Sequence, residues 1–169
     1  MSASPRGRFT RMPSIDIVRE SALWQEEPEV DATLRGAIAE ASVEVTTAGA
    51  ELAIVLTDDS RIRALNRVWR GQDKPTNVLS FPAKDRSGLT GTLALLGDIV
   101  IAYETTKREA DAQGTPFLHH LAHLTVHGFL HLRGYDHEQD EEAEVMERLE
   151  RQILARLEIP DPYAARDAG

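Results

Sequence analysis

The segment from Pro116 to Gly134, PFLHHLAHLTVHGFLHLRG, constrains the fold more than any other part of the chain. Leu118, Leu121, Leu124, Val126, Phe129, Leu130 and Leu132 surround a helical wheel here instead of lining one face of it. A helix that is apolar on most sides has to be buried on most sides. Pro116 stands near the start, where a missing N–H is tolerated, and Gly134 stands at the end as a C′ residue. A chain of 169 residues, 41% of them hydrophobic, supplies one core large enough to enclose such a helix. The other elements pack around it as a single domain.

Those elements alternate in type. Ser14–Glu20 and Glu51–Asp58 read as strands, the first by alternation and the second as a short β-rich run. Between them, Asp31–Glu44 is a helix with Leu34, Ile38 and Ala41 on one face and Asp31 as an acidic cap candidate. Asp59–Arg70 places Ile62, Leu65, Val68 and Trp69 at helical spacing and stops at Gly71. Thr76–Ala83 is a strand that Pro82 confines to an edge or terminal position, and Leu95–Glu104 is another. A polar helix, Glu104–Gln113, ends at Gly114, and a last helix, Glu138–Leu157, carries Val145, Met146, Leu149, Ile153 and Leu157 as one stripe. The class is α+β in one domain, 14–163, between a flexible tail over 1–13 and a short tail over 164–169.

Several classes of function are excluded early. The longest apolar stretch, Leu89–Tyr103, is broken by Gly97 and Asp98 and is too short for a bilayer, so no membrane partner is expected. The arginine-bearing start lacks the apolar run of a secretory signal, and there is no cysteine for disulfides or thiolate metal sites. A cytoplasmic location fits both features. The net charge of −9 argues against nucleic acid globally, but the charge is uneven. Asp136–Glu158 carries −6, whereas Arg61–Lys74 carries +4.

The histidines of the apolar helix carry the chemistry. His127 and His131, four residues apart, project from one face of consecutive turns. Gly134 then releases the chain so that His137 can return as a third nitrogen ligand. The spacing H-x-x-x-H-x-x-G-x-x-H matches the metzincin pattern except that Gly128 replaces its glutamate. Three imidazoles leave a fourth tetrahedral position open, as catalytic zinc sites do. His123 continues the row, but His123 and His131 are about 12 Å apart along the helix axis, so His123 is expected behind the ligands. His119 and His120 are expected to be hydrogen-bonded or solvated. Asp136 either orients an imidazole N–H or caps the final helix.

Without the adjacent glutamate, peptide hydrolysis lacks its usual general base, and phosphodiester cleavage fits better. That reaction needs a cation where negative charge develops. Arg70, just before Gly71, can present a guanidinium fork to phosphate, or can pair with Asp73 or cap helix carbonyls. Arg67 and Lys74 are candidate contacts to an RNA backbone.

The segments RGQDKPTNVLSFP, LLGDIVIA and HGFLHLRGYDHEQDEEAEVM together resemble the YbeY family of bacterial endoribonucleases, in order from about Glu51 to Tyr163. The resemblance implies a mixed four-stranded sheet packed with about five helices, with a metzincin-like metal cleft beside the sheet. It implies a zinc-dependent, single-strand-specific endoribonuclease with one zinc on His127, His131 and His137 and a functional arginine at Arg70. It further implies maturation of ribosomal RNA, notably the 3′ end of 16S rRNA, a part in ribosome quality control, and partners among the small-subunit proteins.

Two rival readings use the same residues. A non-catalytic ribosome assembly factor with a structural zinc predicts a fourth ligand from the protein. A metalloprotease predicts a distant base such as Glu104 or Asp98.

Overall fold

The computed structural model describes residues 12–45, 49–83 and 94–164. The elements are β1 (Ser14–Arg19), α1 (Val30–Glu44), β2 (Ala50–Thr57), α2 (Asp59–Arg70), β3 (Val78–Pro82), β4 (Ala94–Ala102), α3 (Tyr103–Gln113), α4 (Phe117–Leu132) and α5 (Asp140–Arg156). The four strands form one mixed sheet in the order β1-β2-β4-β3. β1, β2 and β4 run parallel, and β3 pairs antiparallel to β4. β3 is therefore an edge strand, as Pro82 requires, since a proline has no N–H to give a further neighbour. The α+β class, the mixed sheet of four strands and the five helices agree with the sequence reading. The expected tails fall almost wholly outside the described residues.

The two faces of the sheet bury different amounts of apolar surface. Leu52, Ile54 and Leu56 of β2 and Ile99 and Ile101 of β4 share the main core with α1, α4 and α5. Alternation sends Val55 and Val100 to the opposite face, where Ile62 and Leu65 of α2 meet Leu79 and Phe81. α4 is buried as its composition dictates: Leu121, Phe129 and Leu130 are fully enclosed. Arg156 of α5 ties that helix to α1 through Glu40 and Glu44.

Two local expectations change, and one short element is new. Asp31 does not cap α1; Glu29, in the left-handed region at φ 68°, precedes the helix, and Asp31 lies in its first turn paired with Arg19. A carboxylate there still faces the positive end of the helix dipole. A 3-10 turn at Ala22–Glu26 brings Trp24 into the core, fully buried, with its indole N–H donating to the Thr57 carbonyl at 2.8 Å. In contrast, Val68 and Trp69 of α2 and Val145 of α5 are exposed although they share helical spacing with core residues. α2 rests on the small face through Ile62 and Leu65, and Trp69 of its last turn reaches that face at the ring of Phe81 while most of its surface stays open.

Candidate metal centre and cleft

The metal-ligand candidates are positioned by the way α4 ends. The N–H of Gly134 bonds to the carbonyl of His131 and that of Tyr135 to Leu130, both at 3.0 Å. This is the paired closure of a Schellman motif, and it needs a left-handed residue. Gly134 supplies it at φ 93°. The chain thus reverses past the last turn, and His137 returns beside His127 and His131.

The three rings converge. Their centroids are separated by 4.6 Å (127–131), 5.0 Å (131–137) and 5.7 Å (127–137), with one nitrogen of each within 4.8 Å of the others. Tetrahedral ligands at about 2.0–2.1 Å from one ion lie about 3.3 Å apart. Nε2 of His127 and Nε2 of His131 are 3.1 Å apart, which suits such an ion. His137 is the exposed member of the three. Among the described residues the cluster is these three histidines, with no fourth histidine or carboxylate in it.

The protonation of His127 follows from its neighbour on α5. Glu150 is fully buried and its Oε1 lies 2.5 Å from Nδ1 of His127. Burial pushes the Glu150 carboxyl up, but hydrogen bonds from His123 and His127 outweigh it and hold it at about 2. An ionised carboxylate only accepts, so Nδ1 carries the proton and Nε2 turns its lone pair to the site. Burial lowers the pKa of His131, and the charges of His127 and His137 lower it further, which favours the neutral ring that a metal requires. Two lone pairs at 3.1 Å repel unless a cation or proton lies between them. The donor set fits a divalent ion of the zinc type.

Glu150 is the functional neighbour that sequence reading missed. It also receives His123, whose Nε2 is 3.2 Å from Oε2, and the hydroxyl of Tyr163. His123 thus reaches the centre through Glu150, behind the ligands. Asp136 does not cap α5, whose N-cap is Gln139. Its carboxylate accepts the backbone N–H of His137 at 2.7 Å and lies 4.0 Å from Nδ1 of that ring.

Gly128 explains the missing glutamate. A Cβ at this position would sit 2.9 Å from Cγ2 of Ile99 and 3.2 Å from Oγ of Ser80. Ser80 donates that hydroxyl to the Gly128 carbonyl at 3.1 Å. α4 lies so close to β3 and β4 here that any side chain would have to displace Ile99.

The triad opens into a cleft of about 750 Å³ between α4 and the free edge of β3. Arg70 lines the same cleft from the end of α2, with Asn77, Ser80, Glu109 and His120 on its walls. Asp73 is engaged by Arg63 through two hydrogen bonds, at 2.9 and 3.3 Å, so it is not the partner of Arg70. Arg67 and Lys74 are exposed on the same segment but do not line the cleft. His120 is buried and bonded to Glu109 at 2.9 Å, and Asn77 donates to the same carboxylate oxygen at 2.9 Å. Burial raises Glu109, but those two bonds prevail and leave it below the usual carboxylate range. Neither distant base proposed for peptide cleavage lines the cleft: Glu104 accepts the N–H of Asp59 at 2.8 Å, and Asp98 is exposed on β4.

No helix among the described residues is long and apolar enough to cross a membrane. The family described as "Endoribonuclease YbeY" matches residues 18–158. A relative named endoribonuclease YbeY from Rhodopseudomonas palustris (strain ATCC BAA-98 / CGA009) is 56% identical, over 98% of this chain and 91% of its own length. The same-named protein of Nitrobacter hamburgensis is 53% identical over 94% of this chain and 86% of its own. The solution structure of TM1509 from Thermotoga maritima superposes with a TM-score of 0.54 at 24% identity, covering 88% of this chain and 97% of that one, and so shares the fold. A sequence match that runs from within β1 to just beyond α5 takes in β2, β3, β4, the triad and Arg70, and the chain belongs to the YbeY family of endoribonucleases.

Proposed function

We propose that the chain is a zinc-dependent endoribonuclease that cleaves single-stranded RNA, acting in ribosomal RNA processing, including the 3′ end of 16S rRNA, and in ribosome quality control. The observation that carries the catalytic part is the meeting in one open cleft of a three-imidazole donor set and an arginine with no carboxylate partner among the described residues. A divalent ion held there by His127, His131 and His137 supplies Lewis-acid polarisation and a water acidified toward neutral pH. The chain's own residues do the rest. Glu150 keeps the proton of His127 on Nδ1, so that Nε2 remains a donor. Arg70 sets its fork on the scissile phosphate and stabilises the charge that develops there. Arg67 and Lys74 contact the flanking backbone. Asp136 holds the backbone before His137 and so fixes where that ring returns. The ribosomal role places the protein in a reducing cytoplasm beside small-subunit proteins.

The test is cleavage of structured and unstructured RNA with and without chelator, beside His131→Ala and Arg70→Glu. We expect unstructured RNA to be cut only with metal present, His131→Ala to lose both metal and cleavage, and Arg70→Glu to lose cleavage while keeping metal. Cleavage by Arg70→Glu at the wild-type rate would remove Arg70 from the mechanism. A protein that binds RNA and metal tightly yet never cuts would favour the assembly-factor reading.

A further inference from the structure

The outward turn of α2 leaves a feature that cleavage chemistry does not use. Trp69 is 66% exposed and Val68 70%, one turn beyond the half-buried Leu65 and two beyond the buried Ile62. A large indole left in water with Val68 beside it, on the helix end whose next residue lines the cleft, is open to an occupant. Trp69 is not loose: its ring meets Phe81 of the edge strand at 5.8 Å and 63°, a T-shaped contact that fixes the indole while most of its surface stays open. Trp69 directly precedes Arg70, which lines the cleft.

The charges around it select the occupant. Arg61 pairs with Asp58, and Arg63 pairs with Asp73. Arg67, Arg70 and Lys74 are exposed and have no ion-pair partner among the described residues. A fixed aromatic face on a segment that also carries the exposed Arg67, Arg70 and Lys74 is the pairing that recognises single-stranded nucleic acid, whose bases offer π-faces and whose backbone offers phosphates. A duplex offers the phosphates only, because its base faces are covered by one another. A second copy of this chain, at a net charge of −9, gains less from a cationic surround than a polyanion does.

We propose that Trp69, held by Phe81, stacks on an unpaired base of the RNA strand while the basic segment that carries Arg67 and Lys74 meets its phosphates, and that the stacking contact makes the enzyme prefer single strands. The inference rests on the RNA-cleaving function proposed above and assigns strand selection to a residue outside the metal centre.

The chain contains two tryptophans, and Trp24 is fully buried, so fluorescence quenching by added ligand reports Trp69. A non-cleaving His131→Ala background is titrated with oligouridine, with the same backbone carrying abasic sites, and with an RNA duplex. Oligouridine should quench, and Trp69→Ala should weaken its binding about five- to a hundredfold, whereas Trp69→Phe retains most of it. Duplex and abasic affinities should change less than twofold. In the otherwise native enzyme, Trp69→Ala should raise KM for oligouridine and leave kcat at saturation unchanged. Equal weakening of single strand and duplex would overturn the proposal, because the effect would then not be stacking. So would unquenched fluorescence in a wild-type protein that still cuts RNA, which leaves the nuclease function intact. Wild-type protein that neither binds nor cuts RNA strikes that function itself. Sedimentation showing a dimer in wild type but not in Trp69→Ala would give the face to self-association and end the proposal.

Discussion

Replacing Glu150 by glutamine separates metal binding from folding. The substitution keeps the shape of a fully buried side chain and removes its charge. In the native protein that charge accepts Nδ1–H of His127 at 2.5 Å. A hydrogen bond to a charged acceptor contributes about 1.5–3 kcal/mol, against about 0.5–1.5 for a neutral pair, so the hold on His127 weakens by about 1–1.5 kcal/mol. That corresponds to about a five- to twelvefold loss of metal affinity, and the less basic Nε2 adds to it, within the 10–100-fold range of such supporting groups. Metal-free stability should behave differently. Glutamine carries no ion to desolvate, and its amide N–H groups find Tyr163 Oη and His123 Nε2, which already face this position. The unfolding midpoint without metal should therefore stay within about 3 °C of wild type. Competition titration of Zn2+ against a chelating dye near neutral pH measures the first quantity, and thermal unfolding in chelator measures the second. Tyr163→Phe is the control: it leaves the Glu150–His127 bond in place and should change affinity less than twofold. A Glu150→Gln variant with wild-type Zn2+ affinity would refute the argument that this carboxylate sets the His127 donor.

Other predictions follow from packing and titration. Gly128→Ala places a Cβ 2.9 Å from the fully buried Ile99, and overpacking of about 1–3 kcal/mol should outweigh the roughly 1 kcal/mol of helix propensity gained. Gly36→Ala in α1 meets nothing within 4 Å and should stabilise by about that propensity, so thermal midpoints of the two variants should move in opposite directions. Tyr103, which donates to Glu27 at 3.0 Å, is pushed up to about 12 by burial first and then by that bond and nearby carboxylates. Its folded-state pKa is raised, so its contribution is whole below the ordinary value of 10 and is lost as pH rises toward 12. Denaturant titrations at increasing pH should show wild-type stability falling across that window, with a shallower fall in Tyr103→Phe. Chelation should lower the thermal midpoint of wild type and leave that of His131→Ala unmoved, since ligand-linked stability needs the ligands.

The triad was legible because its geometry is local. Two histidines at helical spacing and a glycine that ends the helix fix where three rings point, whatever surrounds them. The strand-to-helix order and the edge position of β3 were legible for the same reason, since alternation and Pro82 act within a few residues of themselves. Glu150 was not read as part of the site. It lies 23 residues after His127, within a run of mostly exposed acids. One signal was present: Glu150 stands between Met146 and Ile153 on the inward stripe of α5, where a charge requires a buried partner.

The chain alone determined which side chains share a face. Periodicity of 3.6 or 2 residues decides that from backbone geometry. It did not determine what those faces meet. Only the packing of α4 onto β3 and β4 leaves no space at Gly128, and only the narrow second face of the sheet leaves Trp69 in water while Ile62 is enclosed. Contacts between elements distant in sequence depend on how much area each face has to cover, and that quantity exists only once the layers are assembled.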